Sequence, residues 1–179
     1  MEIRPILRKA AVAFLLICLS YEMQTAIFSK IPLAGVTPNL MIMITSFYGF
    51  MIGRRSGAIV GFFCGFIMDL FSGSYFGAFA LILMFLGYAN GLFRRLFFGD
   101  DLKLPILFVG ITDLLYCGMI YLVRFVPRGK NDVTWYFMNL MMPEMLYTLL
   151  VSVCVYFLVI RIFRWCEKDE KRSEATFVR

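Results

Sequence analysis

Apolar runs long enough to cross a bilayer leave this chain few ways to fold. A hydrocarbon core about 30 Å thick needs about 20 apolar residues per helix, and fewer suffice only where the bilayer thins or the helix is buried in protein. Six stretches meet or approach that length: Lys9–Phe28, Pro38–Gly53, Gly57–Phe71, Gly77–Phe93, Leu104–Val123 and Met142–Arg164. Within lipid a backbone must satisfy its own hydrogen bonds, so the pattern predicts an all-α, polytopic membrane protein, a six-transmembrane-helix bundle. Composition agrees, since 61% of the 179 residues are apolar and only 17% are charged, below the quarter or so usual in soluble domains. The second and third stretches are short, which predicts that they pack inside the bundle. The first follows Arg8 and Lys9 as a signal peptide would, but no small-residue cleavage site comes after it, and it is expected to be retained.

Basic residues set the orientation. Of 18 Lys and Arg, only Lys30, Arg124, Arg128 and Lys130 fall on one side of these spans, and the other fourteen fall on the opposite side. The positive-inside rule then places both termini in the cytoplasm. The net charge of +6 reads as a topology signal, because the basic residues are spread over four short stretches with no nucleic-acid-binding pattern. One transmembrane domain, residues 1–166, is expected, followed by a charged cytoplasmic tail, 167–179, without fixed structure. In the long outer connection Arg124–Met141, the residues Val133, Trp135, Tyr136, Met138 and Leu140 suit a short amphipathic helix lying in the interface. Trp135 and Tyr136, with Phe137 beside them, would serve as its aromatic anchor.

Much chemistry is missing. The chain has no His, which removes imidazole metal sites and His-based acid-base catalysis. No nucleophile elbow, P-loop, dinucleotide fingerprint or zinc-protease motif occurs, so neither an enzyme nor a bound cofactor is expected. Cys18, Cys64, Cys117, Cys154 and Cys166 stand singly and read as packing residues.

The informative residues are acids. Glu22, Asp69 and Asp113 lie within spans, and Glu144 opens the last one after Pro143. At about 1.5 Å per residue from the basic end, Glu22 and Asp69 rise about 20 Å and Asp113 about 14 Å. Ionisable groups at such depth face the bundle or a cavity and have partners. Each also has a bland reading. Glu144 complements a helix N-terminus, Glu22 reaches the outer interface, and Asp113 holds neighbouring helices together. As a proton relay, Asp113 lacks a His or Lys partner within a span.

Around one of these acids the spacing is regular. Gly57, Gly61, Gly65, Asp69, Gly73 and Gly77 recur at every fourth position, drifting about 40° per step on a helix. Gly57, Gly61 and Gly65 therefore present a nearly bare backbone face, against which another helix can approach closely. Packing within the bundle accounts for most of such a row. Beyond Asp69 the glycines and serines of Ser72–Gly77 can turn the chain tightly, and the carboxylate is placed to accept their N–H groups as a clasp.

Pro38-Asn39-Leu40 opening a span, then Gly61, Gly65-Phe66, Asp69-Leu70, Gly73, Phe76-Gly77, Gly87-Tyr88 and Gly91 before Arg94-Arg95, resembles the MreD family. The likeness is best over 38–95, and the Pro143 and Tyr147 opening of the last span agrees with it. Where that family has an acid after the proline of the second span, this chain has Asn39. The resemblance implies a non-catalytic component of the bacterial elongasome in the cytoplasmic (inner) membrane. It implies MreC as the nearest partner, with RodA, a class B penicillin-binding protein and MreB in the same assembly around it, and membrane lipids but no nucleic acid. Docking is then expected on the outer-half surface and small-residue faces, with Glu22, Glu144 and Trp135 to Phe137 as surface candidates. The family is also similar in fold to substrate-binding subunits of energy-coupling-factor transporters. That implies a rival arrangement in which Glu22, Asp69 and Glu144 line an outward-facing cavity for a small molecule.

Overall fold

The structure, a computed structural model, describes residues 3–32, 35–72, 76–96, 103–124 and 133–177, with side chains except at 3–9, 72, 95–96, 103, 124, 133 and 163–177. Every extended element among them is helical. Helix α1 (Ile3–Glu22) runs on through a π-helical stretch, Met23–Ile27, and a 3-10 turn, Phe28–Lys30. Then come α2 (Leu40–Ile52), α3 (Arg54–Ser72), α4 (Ala78–Leu92), α5 (Lys103–Arg124), α6 (Val133–Tyr136) and α7 (Met142–Phe177). The stretches Ala10–Lys30, Leu104–Val123 and Thr134–Ile162 are each long and apolar enough to cross a membrane, and α2 and α4 are shorter apolar helices.

Helix α2 is the centre. Eleven successive residues, Leu40 to Phe50, are buried, as expected of a helix that is apolar on every face. Its start is tied down by side chains: the Leu40 N–H donates to Gln24 Oε1 at 2.9 Å and the Ile42 N–H to Asn39 Oδ1 at 3.3 Å. The amide oxygen of Asn39 thus caps the helix as a carboxylate would at this position. At the other end a single residue, Gly53, turns the chain into α3 with φ of 126°, a conformation that a side chain disfavours.

The tightest packing is backbone on backbone. A Cβ on Gly57 or Gly61 would overlap the carbonyl oxygens of Gly87 or Leu83 on α4, and one on Gly65 would overlap that of Phe79. A Cβ on Gly49 of α2 would lie 2.6 Å from the Gly87 carbonyl oxygen. The predicted glycine face is therefore consumed inside the protein, in a seam joining α2, α3 and α4. This corrects the expectation that the small-residue faces dock a partner.

Asp69 closes the same hairpin. It is buried, and it accepts from the N–H groups of Phe79 at 3.2 Å and Ala80 at 2.9 Å. The cap of α4, Gly77, has no side chain to offer these orphan donors, so a neighbouring helix supplies the acceptor. The clasp exists, but it holds the first turn of α4; Gly73, Ser74 and Tyr75, in the turn expected to supply the donors, lie outside the described residues. A second polar tie crosses the middle of the bundle. Asn90 Nδ2 of α4 donates to Ser46 Oγ of α2 at 3.2 Å and to Thr112 Oγ1 of α5 at 2.9 Å.

Three expectations change. Helix α3 has 19 residues, begins at Arg54, and exposes Phe62 and Phe63, so it is neither short nor enclosed as α2 is. The segment 133–140 is no separate interfacial helix: α6 continues through a π-helical stretch, Phe137–Met141, into α7. Pro143 explains this junction, because it has no N–H to donate and crowds the preceding turn, and a π-helical widening relieves both. The tail, expected without structure, is helical as far as Phe177, which suits its Glu, Lys and Arg residues.

Two sets of unfolding measurements in micelles test this packing. Gly61→Ala is expected to lose about 1–3 kcal/mol through forced separation of α3 and α4. Gly118→Ala, where a Cβ meets nothing within 4 Å, is expected to be neutral or to gain up to about 1 kcal/mol. Asp69→Ala, which strands two buried N–H groups, is expected to cost about 2–4 kcal/mol, and Asp69→Asn, which keeps one acceptor, about half as much.

Candidate functional site

The α2–α4 core ends where large side chains begin. Tyr21, Gln24 and Thr25 from the end of α1, Asn39 before α2, and Tyr116, Cys117 and Ile120 from α5 surround a cavity of about 480 Å³. Tyr136 and Glu144 complete the wall on the α6–α7 side, and Met68, Phe71 and Phe79 on the α3–α4 side. One π-helical stretch lines this cavity through Gln24 and Thr25, and the other begins immediately after Tyr136 of the wall. The tyrosines are fixed rather than loose. Tyr136 packs against Tyr121 at a tilt of 46° with ring centroids 4.9 Å apart, its hydroxyl donates to the Cys117 carbonyl at 3.4 Å, and Tyr116 stacks on Phe79 at 6.2 Å.

At one side of the cavity three potential ligands converge. Asp113 and Cys117 are one turn apart on α5 and so share a face. Glu144 approaches from α7, its Oε2 lying 3.6 Å from Cys117 Sγ. One donor atom from each of the three falls within 4.8 Å of the others. Asp113 is 0% exposed, and neither of its carboxylate oxygens has a hydrogen-bond partner. The Thr148 hydroxyl lies beside Asp113 and accepts from the Asn39 N–H at 3.2 Å.

The acids expected to act together are separated. Glu144 lines the cavity, but Glu22 is exposed beside it, and Asp69 is committed to the N–H groups of α4. The helix-end role of Glu144 gives way to a carboxylate turned toward Cys117, since helical backbone continues upstream of it. Asp113, expected to hold helices together, stands between α5 and α7, with Thr148 and Glu144 of α7 beside it. Of the aromatic surface candidates, Trp135 is 60% exposed, Phe137 is half-buried and Tyr136 is buried in the cavity wall, a correction for the last. Pro38 is buried behind the Asn39 cap. Cys117, read as a packing residue, stands among polar groups. The signal that could have found it was its spacing from Asp113; nothing local in the sequence points to Gln24, Tyr116 or Asn39 as their neighbours.

A second hollow, of about 500 Å³, lies at the opposite end of the bundle between Gly53, Arg54, Arg55, Tyr88 and Arg94. Its arginines belong to the fourteen-residue basic side that dominates the charge asymmetry of the chain.

A family model described as rod shape-determining protein MreD matches residues 7–166. No curated protein and no solved structure is similar enough to be matched to the chain. The matched region takes in the glycine seam, the Asp69 clasp and the whole cavity wall, and on that match the chain belongs to the MreD family of rod shape-determining proteins.

Proposed function

We propose that this protein is a non-catalytic scaffold of the elongasome in the bacterial cytoplasmic membrane, crossing it six times with both termini inside, and that it organises side-wall peptidoglycan synthesis by binding MreC. The family match supports the rod-shape role, and the fourteen-to-four division of basic residues supports the orientation. RodA, a class B penicillin-binding protein and MreB join the assembly directly or through MreC.

The observation that carries the docking site is the exposed aromatic Trp135 beside the cavity residue Tyr136. With the glycine faces used internally, Trp135, Met138, Leu146 and Leu150 are among the apolar side chains left exposed, and all four belong to α6, the π-helical stretch or α7. A membrane-proximal helix of MreC laid on this surface would bury a large aromatic anchor, the kind of residue that dominates binding energy at interfaces.

A second reading has its own support. The cavity brings aromatic and polar side chains together beside Glu144, as a small-molecule site requires, and so fits a binding subunit of the energy-coupling-factor type. Ile120→Trp, which fills that cavity, separates the two: scaffold function predicts unchanged rod shape, and ligand-binding function predicts its loss.

Co-purification from membranes tests the leading reading. Trp135→Ala is expected to weaken MreC capture about 30-fold, equivalent to about 2 kcal/mol, while Leu107→Ala, exposed on α5 towards the basic end, leaves it unchanged. A doubly substituted Glu22→Gln, Trp135→Ala protein that captures MreC at the native level would sink the assignment of this surface.

A further inference from the structure

We propose that Asp113, Cys117 and Glu144 form a binding site for a divalent cation of the zinc class at the wall of the cavity. The site stands on the geometry of these three residues and is independent of where MreC docks. Two carboxylates and a thiol, from two helices, place one donor atom each within 4.8 Å of the others, a separation that a single ion can bridge with small side-chain rotations. Asp113 supplies the independent indication. It is 0% exposed, with both oxygens unpartnered, and its side chain is directed at the other two donors. Buried carboxylates are ordinarily hydrogen-bonded, paired with a cation or bound to a metal, and neither Asp113 oxygen has a partner at ordinary hydrogen-bond distance and angle, with the Thr148 hydroxyl beside it.

The ligand types select the ion. A thiolate is a soft donor that calcium and magnesium disfavour, whereas zinc accepts sulfur and carboxylate oxygen together. Three protein ligands leave one tetrahedral position open, and the cavity beside Cys117 and Glu144 has room for a water molecule there and for entry of the ion. The surroundings also support the ligands. Asn39 spends its side-chain oxygen on the Ile42 N–H, which leaves its NH₂ group for Glu144. Such outer contacts fix ligand orientation at metal sites. On binding, a Zn–S bond forms, the Cys117 thiol proton passes to water, and no redox change occurs.

The full-length protein in detergent micelles, stripped with a chelator and then equilibrated with buffered Zn²⁺, provides the test. One zinc per chain is expected to remain after desalting. Cd²⁺ in its place is expected to give the ultraviolet charge-transfer absorption of a metal–thiolate bond. Cys117→Ser should abolish that absorption and weaken zinc binding by about tenfold or more, Asp113→Asn and Glu144→Gln should weaken zinc binding similarly, and Cys154→Ser, exposed on α7, should change neither. Should Asp113→Asn fail to fold by size-exclusion and circular dichroism, the near-isosteric Cys117→Ser and Glu144→Gln proteins carry the same comparison. Native protein that retains no zinc overturns the proposal. Equal zinc in native and Cys117→Ser proteins, meaning an adventitious ion only, overturns it as well.

Discussion

The contact on which the rest depends is the approach of three helix backbones at Gly49, Gly57 and Gly87. Without a hydrophobic force between helices in lipid, association relies on dispersion contacts and hydrogen bonds, and bare backbones can come closer than any side chain permits. That closeness governs the polar ties around it. It sets α3 and α4 side by side, so that Asp69 reaches the first turn of α4. It also places Asn90 level with Ser46 on one side and Thr112 on the other, which ties α5 to the seam. Helix α5 then carries Asp113 and Cys117 into position.

The cavity has the opposite cause. Where α1, α5 and α7 meet the core, tyrosines take the place of glycines. Tyr21, Tyr116 and Tyr136 are too large to let backbones meet, and their ring contacts hold them in place as spacers. A space with mixed polar and apolar walls results. The two π-helical stretches beside it are departures from regular helix of the kind that often accompanies functional sites, and one of them has a local cause in Pro143. The protein therefore combines a dense half, built for rigidity, with an open half that has polar groups to spare.

Acidic residues show why position in a span says little about role. Asp69 and Asp113 both lie buried in helices, yet Asp69 satisfies two backbone donors and Asp113 satisfies none. The difference lies in the element opposite. Asp69 faces a helix N-terminus, which offers free N–H groups; Asp113 faces the side chains of Cys117, Glu144 and Thr148. Asn39 makes the complementary point, because a neutral amide oxygen is enough to cap α2.

The helical class and the long apolar stretches were legible in the amino-acid order alone, because long apolar runs favour helices that satisfy their own backbone hydrogen bonds. That order also determined that Gly57, Gly61 and Gly65 form one face and that Asp69 needs backbone donors nearby, since four-residue spacing maps directly onto a helix surface. The three-dimensional fold was needed to learn that this face meets α4 and α2, that Asp69 holds Phe79 and Ala80, and that Glu144 joins Asp113 and Cys117. It alone showed residues 133–141 merging into the last helix. The reason is common to all four: periodicity reports which residues share a face, while what stands opposite depends on helices distant in sequence, whose approach is set by packing that no single segment encodes.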